Sequence, residues 1–95
     1  MKITHSASLI TVYGNIKKIT DSQELQNYID DVVQDHTTIT LHLVDSISMS
    51  SSIIGYLNKL VLKDKIELQL KVGNSQLVDL LEDLHLTSMF HVTLV

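Results

Sequence analysis

No cysteine occurs anywhere in the 95 residues. Disulfides, thiolate metal sites and cysteine nucleophiles are excluded together, and the composition suits a reducing cytoplasm. Basic residues are also scarce: seven Lys and Arg stand against eleven Asp and Glu, a net charge of −4. That balance disfavours non-specific nucleic-acid binding, which needs a basic face. Lys17 and Lys18 are the only adjacent basic pair, too little to hold a nucleic-acid backbone. No apolar run approaches the roughly 20 residues of a membrane span. The start, MKITHSASLITVYG, is interrupted by Thr4, His5, Ser6 and Ser8, and does not read as a signal peptide. What is present is an ordinary globular composition, 44% apolar, suited to one domain with a single modest core.

Periodicity divides the chain into alternating elements. LITVY, residues 9–13, is β-branched and aromatic and ends at Gly14-Asn15, which predicts a strand, with a weaker one at Ile3 and Thr4. Residues 21–35 predict a helix: Asp21 and Glu24 have capping-box spacing, and Leu25, Tyr28, Ile29, Val32 and Val33 form one apolar stripe. Residues 37–44 read as a strand, Ser51 to Lys63 as a helix, and 65–72 as a strand stopped by Gly73-Asn74. A short helix follows over SQLVDLLEDL, with Leu77, Leu80, Leu81 and Leu84 on one face, and FHVTLV closes as a strand. Strands separated by single helices predict an α/β fold with a largely parallel sheet. The strands themselves alternate. Ile66, Leu68, Leu70 and Val72 oppose Glu67, Gln69 and Lys71, and Ile39, Leu41 and Leu43 oppose Thr38, Thr40 and His42. One sheet face should therefore be wet and all helices packed on the other, unlike a doubly wound nucleotide-binding fold.

Signatures of enzymatic chemistry are missing. There is no GxGxxG, no GxxxxGK[ST] and no GxSxG. His5, His36, His42, His85 and His91 are scattered without metal-ligand spacing, so no metal site is expected. No elbow glycine precedes the serines, and nothing pairs one with a base. Asp30-Asp31 and Glu82-Asp83 read as solvated helix surface. No catalytic residue and no cofactor are expected.

The distinctive stretch is SISMSSSIIGYL, residues 46–57, which sets five serines at the junction between a strand and a helix. Two readings fit. A serine hydroxyl is a favoured helix N-cap, and a serine at a helix start is also a favourable phosphate acceptor, because free N–H groups and the helix dipole face it. On a helical projection Ile53, Ile54, Leu57, Leu60 and Val61 gather on the buried face, while Ser51, Gly55, Asn58 and Leu62 line the outward one. That outward strip, with a hydroxyl, a space-clearing glycine and a leucine, fits a protein-docking surface. Ser50 turns inward and is the better cap; Ser46 and Ser48 fall in the turn.

LVDSISMSSSIIGYLNKL resembles the central segment of STAS domains, the family of bacterial anti-sigma-factor antagonists, in which a strand, an Asp-Ser-Ser-Gly-Leu-Gly turn and a helix follow one another. Without gaps, Ser50 takes the aspartate position, Ser51 the phosphorylated serine, Ile53 the first glycine, and Ile54-Gly55 the Leu-Gly. LITVYGNI, DSQELQNYI and VDLLEDLHLTSMFHVTLV resemble the family's second strand, first helix and ending, so nearly the whole chain is covered in order. The family's last helix has no counterpart. Lys17 or Lys18 stands where many relatives carry an acidic residue, with local spacing one residue longer.

The resemblance implies a STAS-like fold with a mixed, mostly parallel sheet and helices on one face. It also implies a cytoplasmic, non-enzymatic partner-switching module. Its partner would be an anti-sigma factor, a serine kinase of histidine-kinase-like ATPase fold, that phosphorylates Ser51, with Ser50 and Ser52 as the neighbouring candidates. A PP2C-type phosphatase would reset the switch. Ser50, Ser51, Ser52, Gly55, Asn58 and Leu62 would form the partner-binding surface. An alternative within the family is an unphosphorylated subunit bracing a larger complex, such as a stress-sensing assembly or a lipid-transport ATPase.

Overall fold

The computed structural model describes residues 1–95. Its elements are β1 (Lys2–Ser6), β2 (Leu9–Tyr13), α1 (Ile19–Val33), β3 (Thr38–Leu43), α2 (Ser51–Leu62), β4 (Glu67–Val72), α3 (Ser75–Asp83) and β5 (Val92–Leu94). The five strands form one sheet in the order β1-β2-β3-β4-β5. β1 and β2 make an antiparallel hairpin, and every later pairing is parallel. The sheet is mixed because β1 and β2 are joined by a turn too short for a crossover, with Ala7 at φ 52°, whereas each later strand pair is bridged by one helix.

The predicted alternation is observed. Ile10 and Val12, Ile39, Leu41 and Leu43, and Leu68, Leu70 and Val72 are all fully buried, while Glu67, Gln69 and Lys71 on the reverse face are exposed. The register sets Thr4, Thr11, His42, Lys71 and Thr93 side by side across that reverse face. The three helices cover the other face with Leu25, Ile29 and Val32 (α1), Ile53, Leu57 and Leu60 (α2), and Leu77 and Leu81 (α3), completing one core of 20 residues. At about 25 cal/mol per Å² of apolar surface, these fully buried branched residues supply the main driving force for folding.

Several boundaries differ from the sequence expectation, each for a local reason. α1 begins at Ile19, not Asp21. Asp21 is its third residue, and its carboxylate accepts from the backbone N–H groups of Lys17 and Lys18 at 3.3 and 3.2 Å. It therefore plays the returning half of a capping motif rather than the first half. β4 begins at Glu67, because Lys65 takes φ 59° and Ile66 N–H bonds back to Leu60 O at 2.9 Å. β5 loses Phe90 and His91, since Phe90 N–H bonds to Leu86 O at 3.0 Å and His91 takes φ 49°. Phe90 instead fills the core. Six residues assigned to apolar stripes are not fully buried: Val33, Ile54, Val61 and Leu80 are half-buried, Tyr28 is half-buried with its ring edge against His5, and Leu84, just past α3, is 46% exposed.

Gly73 ends β4 where a side chain cannot fit. Its N–H bonds to Leu43 O at 2.9 Å, and a Cβ at this position would stand 2.0 Å from the carbonyl oxygen of Val44. No helix is long and apolar enough to cross a membrane.

Candidate functional site

The serine junction is built by two loops that hold each other. After β2, Gly14 takes φ 86°, and its N–H donates to the carboxylate of Asp45. Gly14 O accepts from the Ser46 hydroxyl at 2.9 Å, and Asn15 Oδ1 accepts from Ile47 N–H at 3.0 Å. The connection into α1 and the connection into α2 are thus stitched together by three bonds that involve residues 31 or 32 positions apart. Ser46 is fully buried in this stitch. The sequence places Ser46 in a turn and Gly14-Asn15 at the end of a strand, but neither these bonds nor the part played by Asp45 has a local signature. The only available signal was a cluster of turn-forming side chains at two strand ends.

The three consecutive serines then separate by geometry. Ser50 is the N-cap of α2: it has extended backbone, and its Oγ accepts from Ile53 N–H at 3.3 Å. Ser51 and Ser52, the first two helical residues, are exposed and their hydroxyls are uncommitted to any cap. Ile53 is fully buried and anchors the helix start in the core.

The outward strip is present with one exception. Ser51, Gly55 and Leu62 are exposed, Leu62 at 58%. A Cβ added at Gly55 would meet nothing within 4 Å, so the helix has no internal need for glycine there. Asn58 departs from the expectation. It is half-buried, and its Oδ1 is buried with no hydrogen-bond partner, because it sits at the margin of the strip beside half-buried Ile54 and Val61. Two exposed apolar residues were not foreseen: Ile47, 48% exposed in the stitched loop, and Ile19, 79% exposed at the start of α1. Ile19 stands outside the Leu25–Ile29–Val32 stripe, which was the signal available for it.

A cleft of about 340 Å³ lies between the starts of α1 and α2 and is lined by Lys17, Lys18, Ser22, Ser50 and Ser52 among others. Further along, the two helices are tied by Tyr56, whose hydroxyl donates to the Asp30 carboxylate and lies 3.3 Å from Gln26 O. Burial, then the bond to Asp30 and its charge, push the Tyr56 phenol far above its usual range. Asp30, expected to be free surface charge, is therefore engaged. The backbone N–H of Lys18 holds the Asp21 carboxyl below the usual carboxylate range.

No group of three or more His, Asp or Glu is arranged to hold a metal. A second hollow, lined by His5, Asp31, Asp35 and His36 among others, lies away from the serines. Comparison with protein-family models, with curated proteins and with solved structures gave no match.

Proposed function

We propose that this chain is a STAS-type protein-binding module, similar to anti-sigma-factor antagonists, that docks a partner through the outward face of α2 and is released by phosphorylation of Ser51. The observation that carries this reading is Gly55: a glycine in the middle of a helix, facing open space, is destabilising by itself and is accounted for by something that must approach closely. Ser51 lies one turn before it and Leu62 two turns after it on the same face, with exposed Ile19 and Ile47 near the helix start. Apolar residues exposed together near a hydroxyl fit a surface that is covered part of the time. The hairpin followed by three parallel crossovers, with helices on one face, agrees with the STAS-like architecture that the resemblance implies. Adding about two negative charges where Ser51 meets an apolar partner opposes the complex through desolvation and repulsion.

The partner in this reading is a serine kinase of histidine-kinase-like ATPase fold, and the phosphoserine is reset by a PP2C-type phosphatase. Capture from a lysate of the native host tests it. Wild type is expected to retain such an ATPase, and Ser51→Asp to lose it by tenfold or more, about 1.4 kcal/mol. Equal capture by Ser51→Asp rules out the switch at this residue. Gly55→Ala is expected to raise stability by about 0.5–1 kcal/mol in urea unfolding, and Gly55→Leu to fold while losing the partner.

One observation favours a second reading, an unphosphorylated subunit bracing a larger assembly such as a lipid-transport ATPase. The family's aspartate is replaced by Ser50, whose hydroxyl is used as a cap. Recovery of transporter subunits, with no phosphate in the intact mass of native protein, would select it.

A further inference from the structure

The cleft between α1 and α2 is chemically unlike the rest of the molecule. The chain carries a net charge of −4, yet the charged residues lining this cleft are Lys17 and Lys18, with no carboxylate among them. Neither lysine is in an ion pair; the one salt bridge in the protein joins Lys59 and Asp64. The nearby Asp21 carboxylate accepts from the backbone N–H groups of Lys17 and Lys18, and the Lys18 ammonium acts on it through its charge without forming an ion pair. Ser22 lines the same cleft at 7% exposure. Ser52 contributes to the opposite wall, on α2, while Ser50 is committed as the cap.

Two lysines outside any ion pair, the little-exposed Ser22 and the exposed Ser52 therefore line one cavity. We propose that Ser52 is a second phosphoryl acceptor, and that its phosphate is retained in the cleft by Lys17 and Lys18 with Ser22 as an additional donor. The proposal rests on phosphoregulation at the start of α2 but goes beyond it. Ser51 modification acts outward, on the docking strip, whereas Ser52 modification acts inward, tying α2 to α1. In the transfer, Ser52 Oγ gives up its proton to a base of the kinase and bonds to the γ-phosphorus of ATP. The bond from that phosphorus to the bridging oxygen breaks, and ADP leaves. The product dianion gains charge-assisted hydrogen bonds from the lysines.

Two measurements test this. Phosphopeptide mapping of protein purified from its native host is expected to place phosphate on Ser52. Phosphate confined to Ser51 overturns the second acceptor and leaves the Ser51 switch standing; no phosphate on any of the three serines overturns both. Independently, phosphoserine can be installed genetically at position 52 or 51 and titrated by ³¹P NMR. A free phosphoserine has a second pKa of about 6. The clamp is expected to hold the value at position 52 about one unit lower than at position 51, and K17Q/K18Q to remove the difference. Equal values at the two positions, or a lowered value indifferent to K17Q/K18Q, overturn the clamp whatever Ser51→Asp does to partner capture.

Discussion

Ser50 and Ser51 are neighbours with the same side chain, and the fold gives them opposite work. The Ser50 hydroxyl satisfies Ile53 N–H, which would otherwise be an orphan donor at the helix start. Ser51 faces outward and satisfies nothing in the chain. Ser50→Ala should therefore cost about 1 kcal/mol in denaturant unfolding, while Ser51→Ala stays within about 0.5 kcal/mol. A reversed order would assign the cap to the wrong serine. Gly73 makes a sharper case. The atom facing its missing side chain is a backbone carbonyl oxygen that cannot rotate away, so Gly73→Ala should destabilise by about 2 kcal/mol or more, read as a lower urea midpoint. The assignment of Ser50 as the cap was legible in the sequence because a serine just before an apolar helical stripe is a favoured N-cap, although Ser50 is exposed and does not turn inward as the projection predicts. The need for glycine at 73 was not, since it depends on the carbonyl of Val44, a residue just past the end of β3. Asn58 was misplaced for the same kind of reason: a projection gives direction, but the depth of the flanking Ile54 and Val61 decides burial.

Elements were more legible than their ends. Each predicted strand and helix exists, because apolar spacing of two or nearly four residues survives folding intact. Ends depend on single bonds, and Asp21 moved the start of α1 by two residues by reaching back to Lys17 and Lys18. Between elements the sequence says least. The tie from Tyr56 on α2 to Asp30 on α1 joins residues 26 positions apart, and nothing local announces it. It has a pH consequence. The folded phenol is raised above its unfolded value of about 10, so its stabilisation is complete below about pH 10 and is lost as the pH rises past it. Urea midpoints of wild type should fall more steeply than those of Tyr56→Phe between about pH 10 and 12. Parallel curves would show that the tie contributes nothing.

For the whole molecule, the sheet order predicts how stability is distributed. β3 and β4 are paired on both sides and present only fully buried residues to the helices, whereas β1 and the three-residue β5 are edges. Amide hydrogen exchange should be slowest at Leu41, Leu43, Leu68 and Leu70 and faster by orders of magnitude in β1 and β5. Uniform protection across the five strands would contradict this. The one-sided arrangement was readable from strand alternation alone, since a face of Glu67, Gln69 and Lys71 could not be covered by an apolar helix.

That bare face has a practical use. Gln69 lies near the middle of the sheet, exposed and on the opposite side from α2, and the chain has no cysteine of its own. Gln69→Cys would give a single thiol through which the protein can be coupled to a sensor surface in one orientation. Every molecule would then present its serine junction and docking strip to the solution, and a binding partner would meet a uniform layer instead of a random one.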